Sequence, residues 1–195
     1  MKQKQFKEKY SKKVSKRPYK EKKLVDKKWI TIISLITFLI TLFFSFIGET
    51  IIPNAHLIIS FFLLIFFIFL GIIFDIIGVS ITVADIKTFN SMASKKVKGA
   101  RLAVKFIKNA NKASSFFNDV IGDICGIVSG STGVTIAILI SERLNINLLI
   151  ITLMMTSIIS TITIGGKAIG KTIAINKSDK ILYSFVKVLS IFYKE

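Results

Sequence analysis

Four long apolar segments, separated by short polar links or lysine-rich stretches, constrain this chain more than any other feature of its sequence. The first, 29–47, contains no charged residue. The second, 57–84, contains one aspartate within its apolar run, and two more segments follow at 120–140 and 148–164. About 20 helical residues, each rising 1.5 Å, cross the roughly 30 Å hydrocarbon core of a bilayer. The sequence therefore predicts an all-α, polytopic membrane protein with about four transmembrane helices.

Composition argues against several other classes of protein. Hydrophobic residues make up 52% of the chain and fall in blocks, which a disordered polycation or a soluble nucleic-acid binder would not show, despite a net charge of +17. Cys125 and His56 are the single cysteine and histidine, so a disulfide framework and a Cys- or His-rich metal site are excluded. No Ser-His-Asp set or paired acid–base group is visible, and we therefore expect no enzyme and no nucleic-acid partner.

Basic residues alternate along the chain in a way that predicts its orientation. The segments 1–28, 48–56, 86–118, 141–147 and 165–195 hold 13, 0, 8, 1 and 6 Lys and Arg residues. Cytoplasmic loops are enriched in these residues, so both termini are predicted to be cytoplasmic. Heavy use of Ile, Lys, Asn and Phe is typical of bacteria with AT-rich genomes, and the bacterial inner (cytoplasmic) membrane is the expected location.

Three segments outside the apolar blocks are predicted to lie on the cytoplasmic side. The basic tail, 1–28, is predicted to be disordered and attracted to anionic lipid headgroups. Apolar residues recur at helical spacing over 89–107 with lysines opposite them, which predicts one basic amphipathic helix on the membrane surface within the segment 86–118. A second amphipathic helix, 178–195, is predicted either to lie on the membrane or to pack against a second copy of the chain.

Acidic residues inside the predicted spans need a partner, because an ionised carboxylate in hydrocarbon is costly. Three explanations stay open: a structural ion pair with Lys167 or Lys171, a hard-cation site, and a proton carrier, for which nothing marks a relay. Glycines on the third span favour close helix packing as well. Oxygen ligands are what Mg²⁺ and Na⁺ prefer, and this favours the cation site.

The candidate metal site combines carboxylates, hydroxyls and small residues. We expect three aspartates to act as ligands or charge partners, four hydroxyls to add oxygens, and two glycines to permit close approach. These residues are Asp75, Asp119 and Asp123; Ser80, Thr82, Ser129 and Ser131; and Gly122 and Gly126.

Residues 165–172, GGKAIGKT, match the phosphate-binding loop pattern letter for letter. That loop needs a preceding strand and an α/β domain, whereas this one follows an apolar run of membrane length. A glycine-rich helix end is the better prediction, with Lys167 and Lys171 extending to the cytoplasmic surface.

From the second apolar segment onward, the order of parts resembles the transmembrane domain of the CNNM/CorC family of magnesium-handling proteins. The resemblance covers about 57–175, after an added transmembrane helix at 29–47. It rests on three stretches, GVSITVAD (78–85), MASKKVKGARLAVKFIKNA (92–110) and SSFFNDVIGDICGIVSG (114–130). It implies a homodimeric three-helix membrane domain that binds Mg²⁺ among polar residues near its centre.

The chain also departs from the family pattern. The family's Glu before Thr-Ala is absent, with Ile81 at about that place, and Asp123 replaces the Asn of a Gly-Asn pair. We expect a divergent member without the family's CBS domains. The leading hypothesis is a membrane protein that binds, and in its fullest form transports, a divalent cation such as Mg²⁺. The alternative is a non-transporting scaffold or assembly factor that binds lipid or a protein partner through its basic tail and amphipathic helices.

Overall fold

The computed structural model describes residues 27–51 and 57–192, and within these residues it contains helices and no strands. The elements in chain order are α1 (Lys27–Ile51), α2 (Leu57–Val83), α3 (Ile86–Ser94), α4 (Ala100–Lys108), α5 (Ala110–Ser115), a π-helical segment (Phe116–Gly122), α6 (Asp123–Leu144), α7 (Leu148–Asn176) and α8 (Ser178–Phe192). The all-α prediction is confirmed. The basic tail at 1–26 and the link at 52–56, with His56, lie outside the described residues.

Four stretches of helix are long and apolar enough to cross a membrane. They are Lys27–Phe46, Leu57–Val83, Ala110–Leu144 and Leu148–Asn176. Large apolar side chains stay exposed along them, such as Ile58 at 78% and Phe46 at 70%, as expected of surfaces that face lipid. The chain is therefore a multi-pass membrane protein. Its third span is longer than predicted, because α5, the π-helical segment and α6 follow one another without a loop.

The chain divides into two compact units, 1–32 and 33–195. In the first, the described residues form the beginning of α1, where the Thr31 hydroxyl donates to the Lys27 carbonyl. In the second, the rest of α1 contributes Ile33, Ile40 and Phe44 to a small core around Val120 and its neighbours on the third span.

α2 is the central helix of the second unit. Towards its N-terminus, Leu64 and Ile68 pack with Ile136 of α6 and Ile159 of α7. Towards its C-terminus, α2 contributes to a larger core that also includes residues of α3, α4, the π-helical segment and α8. The buried members of that core are Ile77, Ile81, Ala84, Phe89, Ala103, Phe117, Leu182 and Val186. One helix therefore organises both ends of the bundle.

The prediction of a single amphipathic helix over 89–107 is wrong. The chain forms two short helices, α3 and α4, separated by a turn in which Lys96 has φ 57° and Gly99 has φ 81°. The turn folds α4 back, so that Phe89 and Ala103 are fully buried inside this chain. Periodicity in the sequence could not reveal the break, since both halves keep the helical spacing of apolar residues.

The C-terminal helix also packs within the chain. Leu182 and Val186 of α8 are fully buried against α2 and its neighbours. Asp179, in the first turn of α8, accepts a hydrogen bond from the Asp85 backbone N–H at 3.0 Å. Asp85 itself caps α3 by accepting from the Lys87 N–H at 2.9 Å. The start of α8 is thus fixed to the junction between α2 and α3.

Gly99→Ala is expected to destabilise the protein, because residue 99 adopts a left-handed conformation and a methyl group there would lie 3.0 Å from the Val186 carbonyl oxygen. The conformational cost alone is about 1–2 kcal/mol. Gly165→Ala is the matched control, since nothing lies within 4 Å of a methyl group at that helical position. It should stabilise by up to about 1 kcal/mol. Unfolding of the purified protein in detergent measures both, and equal stabilities would contradict this description of the turn.

Candidate functional site

Asp75 lies at the closest approach between α2 and the third span. Gly71, Asp75 and Gly78 share one face of α2, at spacings of four and three residues. A methyl group on Gly71 would lie 3.1 Å from Cys125 Cβ and 3.3 Å from the Gly122 carbonyl oxygen, and one on Gly78 would collide with the Asn118 carboxamide. The third span therefore contacts α2 on both sides of Asp75, through backbone at Gly71 and through the Asn118 side chain at Gly78, and Asp75 is only 5% exposed.

Two buried oxygen atoms at this interface lack hydrogen-bond donors among the described residues. They are Oδ2 of Asp75 and Oδ1 of Asn118. Buried polar atoms are nearly always paired, because an unpaired one keeps a desolvation cost of about 1–3 kcal/mol. Both atoms here are acceptors when Asp75 is ionised, so they cannot satisfy each other. The pair is complementary to a cation or to a donated proton.

The π-helical segment brings Asn118 to this position. A π-helix has a wider turn than an α-helix and is frequent at functional sites. This one spans Phe116–Gly122, between α5 and α6. Its first half places Asn118 against Gly78, and its last residue, Gly122, lies against Gly71. The local change of helix type thus lines both edges of the Asp75 site.

A lysine from α7 approaches the site from the other side. Lys167 Nζ lies 3.2 Å from Asp123 Oδ1, and the two side chains are 21% and 64% exposed respectively. A methyl group on Gly122 would lie 3.9 Å from the same Nζ atom. The ion pair left open by the sequence is therefore formed by Asp123. Asp75 has no such bond to a lysine in the described structure.

The electrostatic surroundings of Asp75 are mixed. Its carboxylate interacts over longer range with two ammonium groups, those of Lys171 and Lys167, and with two further carboxylates, those of Asp123 and Asp119. Three carboxylates and two ammonium groups leave one net negative charge when all five are ionised. A monovalent cation at Asp75 would neutralise that charge, and a divalent cation would leave one net positive charge.

The predicted hydroxyl ligands are distributed around the interface instead of converging on one point. Ser80 and Ser129 are fully buried, and each donates to a carbonyl of its own helix, those of Ile76 and Gly126. Each hydroxyl keeps acceptor capacity after that donation.

The remaining predicted ligands lie at the surface of the bundle. Thr82, Ser131 and Asp119 are exposed, and both hydroxyls bond within their helices. Among the described residues no three Asp, Glu, His or Cys side chains are close enough to hold one ion together. Of the predicted set, the structure brings Asp75, Gly122 and Asp123 together. Thr82, Ser131 and Asp119 lie outside this group.

Gly126 does not permit close helix packing, contrary to expectation. Nothing lies within 4 Å of a methyl group on Gly126 or Gly130. Both instead line a groove of about 250 Å³ between α6 and α7, together with the hydroxyl-bearing residues Thr156, Ser160 and Thr163. Gly126 lies one turn beyond Asp123, so the groove begins beside the ion pair and continues along the two helices.

The segment GGKAIGKT lies within an uninterrupted helix. α7 continues through it to Asn176, so the predicted helix end is wrong, and the strand and loop of a phosphate-binding motif are absent from this described segment. Gly166 and Gly170 accommodate Ile72 and Ile76 of α2, whose side chains occupy the space that a methyl group would fill. Lys167 is held inward by Asp123 instead of extending to the surface.

Sequence reasoning missed Asn118. Asn118 lies in the π-helical segment, where α-helical spacing does not predict which residues share a face. A carboxylate is the stronger cation ligand in the absence of geometry, so the sequence favours the neighbouring Asp119 and Asp123.

No protein-family model, curated protein or solved structure matches this chain significantly. The resemblance to the CNNM/CorC membrane domain therefore stays a prediction, and the geometry of the chain carries the functional argument.

Gly78→Ala is expected to lower the free energy of unfolding by about 1–3 kcal/mol, because the added methyl group displaces the Asn118 carboxamide. Asn118→Ala in the same chain removes the obstacle, so the double variant should recover at least about 0.5 kcal/mol relative to additivity. Gly126→Ala is the matched control and should cost nothing, since its methyl group enters open space. Unfolding in detergent gives the stabilities of the native protein, the two single variants, the double variant and the Gly126→Ala control. Additive losses would show that residues 78 and 118 are not in contact.

Proposed function

We propose that this protein resides in the bacterial inner membrane and binds a divalent cation such as Mg²⁺ at the buried site formed by Asp75 and Asn118, as part of moving that ion across the membrane. The observation that carries the proposal is that two buried oxygens at a helix interface, Asp75 Oδ2 and Asn118 Oδ1, receive no hydrogen bond from the described residues. Each of these oxygens is an acceptor that a bound cation can satisfy.

The chemistry of the site favours a hard cation. Carboxylate and amide oxygens suit Mg²⁺, which commonly uses one or two carboxylates and retains several waters. Asp123, beside Asp75, is a second carboxylate, and its exposed side chain can reach the ion through such a water. The net negative charge of the five ionisable groups around Asp75 attracts a cation of either valence. Exposed Asp119 contributes to that charge at longer range.

The groove along α6 and α7 supports a role in transport. It begins one turn from Asp123 and Lys167, and hydroxyls of Thr156, Ser160 and Thr163 line it within the membrane-spanning part of the chain. The Thr163 Oγ1 atom is buried and has no hydrogen-bond partner among the described residues. Polar atoms in membrane helices commonly mark a substrate or ion pathway. The Lys167–Asp123 pair lies at one end of this groove, one helical turn from Gly126 and from Ile164.

The proposed orientation places both termini in the cytoplasm. It is supported by the alternation of basic residues along the sequence. The packing of α3 and α4 with α8 also puts the basic segment 86–118 and the C-terminal helix at the same end of the bundle. A homodimer, implied by the family resemblance, is part of the same proposal.

The scaffold alternative has less support from the described residues. It would use the apolar faces of the amphipathic helices, and part of each face is buried within this chain, as at Phe89, Leu182 and Val186. Structural pairing with lysine accounts for Asp123 but leaves the buried Asp75 carboxylate unexplained. The cation site accounts for both.

Asp75→Asn is expected to abolish thermal stabilisation by Mg²⁺. A ligand present at 100 times its dissociation constant stabilises the folded state by about 2.7 kcal/mol, and this gain should disappear with the carboxylate. Without divalent ions, the variant should be at least as stable as the native protein, because a buried charge without a partner is removed. Glu142→Gln removes an exposed carboxylate at the far end of α6 and serves as control. Stabilisation by Mg²⁺ that survives in Asp75→Asn would refute the site.

Neutralising the two members of the ion pair should shift Mg²⁺ affinity in opposite directions. Asp123→Asn frees the Lys167 ammonium to compete for Asp75 and should weaken binding, whereas Lys167→Gln removes that competitor and should strengthen it. Each shift should be about three- to tenfold, or about 0.7–1.4 kcal/mol, as expected of one nearby and partly screened charge. Calorimetric titration of the purified protein measures both. Equal Mg²⁺ affinities in the two variants would show that the Lys167–Asp123 ion pair does not influence the Asp75 site.

Flux into proteoliposomes tests transport separately from binding. Mg²⁺-dependent flux that Asp75→Ala abolishes and Glu142→Gln preserves would support the full proposal. Binding without flux in the native protein would retain the site and refute its role in transport.

A further inference from the structure

A second concave surface lies between α2 and α8, away from the Asp75 site. This groove has a volume of about 450 Å³, within the range of about 300–1,000 Å³ that small-molecule sites commonly show. Its walls are almost entirely apolar, formed by Ile73, Ile76 and Ile77 of α2 and by Phe185 and Val188 of α8. We call it the α2–α8 groove.

Two lysines and no acidic residue contribute to the lining of the α2–α8 groove. Lys177 precedes α8 and Lys180 lies in its first turn, so both are at the same end of the groove. Both side chains are exposed, and neither has an ion-pair partner among the described residues. The nearest acid in sequence, Asp179, is engaged with the Asp85 backbone. The groove is thus apolar along its length and positively charged at one end.

The apolar walls of the groove are not covered by this chain. Ile73 remains 49% exposed and Val188 58% exposed. Ile73 belongs to a membrane-spanning helix, so the surface beside it borders lipid rather than water. Filling such a groove needs an apolar chain, and the two free ammonium groups need an anion at its end. A phospholipid with an anionic headgroup supplies both in one molecule.

We propose that the α2–α8 groove binds one anionic phospholipid, with an acyl chain along Ile73, Ile77 and Val188 and the phosphate at Lys177 and Lys180. Basic pockets between membrane helices on the cytoplasmic side are recognised sites for anionic headgroups. The orientation proposed above assigns the lipid to the inner leaflet. The site itself depends on neither the orientation nor the cation site, since none of its lining residues is a proposed cation ligand.

Native mass spectrometry of the full-length protein with phosphatidylglycerol or phosphatidylcholine of identical acyl chains tests the proposal. The native protein should prefer phosphatidylglycerol. The double variant Lys177→Gln, Lys180→Gln should lose about 10- to 30-fold of that affinity, because each basic residue near an anionic surface contributes about fivefold. Lys187→Gln removes an exposed charge of α8 that does not line the groove and is the matched control. The basic tail is present in every variant, so its attraction to lipid cancels in the comparison.

A second pair of variants tests the acyl-chain part of the groove. Ser184→Trp places an indole inside it and should reduce binding of both lipids, whereas Ile191→Trp, on an exposed position of α8 outside the groove, should not. Soluble glycerol phosphate should fail to displace bound phosphatidylglycerol, because it has no acyl chain. The proposal is overturned if Lys187→Gln lowers the preference as much as the double variant does, if Ser184→Trp leaves lipid binding unchanged, or if glycerol phosphate competes. Melting temperatures without added lipid verify that each variant is folded.

Discussion

The close approach of α2 to the third span, at Gly71 and Gly78, is the contact on which the rest of this structure depends. Helices in a bilayer gain little from hydrophobic burial, because lipid is as apolar as their side chains, and small residues allow the dense contact that holds them together. Here that contact also removes a carboxylate from its surroundings. Asp75 lies between the two glycines and is 5% exposed as a direct result. Packing and chemistry are therefore consequences of the same two glycines.

The charged residues near this contact divide into two groups with different roles. Lys167 and Asp123 bond to each other at 3.2 Å and are partly exposed, so their pair contributes modestly to stability and is free to rearrange. Asp75 is buried, and its second oxygen has no donor in the described structure. A cation bound at this acid changes the balance of charge on three helices, because Lys167 and Asp123 interact electrostatically with Asp75. This is the physical content of the proposed transport site.

The short helices α3 and α4 form, with α8, a packed cap at the C-terminal end of α2. Phe117 of the π-helical segment stacks on Phe74 of α2, with ring centroids 5.9 Å apart, and meets Phe185 of α8 edge-on at 5.1 Å. α8 is therefore held on one side by this aromatic cluster, while another side faces the α2–α8 groove. The cap links the π-helical segment, which supplies Asn118, to the helix that carries Lys180.

The sequence by itself determined the membrane class, the number of spans and the residues that needed explanation. Uninterrupted apolar length and the cost of a charge in hydrocarbon are properties of composition along a chain, and they do not depend on which helices are neighbours. Tertiary structure alone decided which acid is buried. Asp75, Asp119 and Asp123 all lie in or beside apolar stretches of the sequence, and they differ in whether a neighbouring helix covers them. It also decided that 89–107 breaks at Gly99 and that Asn118 meets Gly78. Both depend on contacts between residues far apart in sequence. Gly99 lies against Val186, and Gly78 of α2 lies against Asn118 of the third span. No local sequence pattern records such contacts.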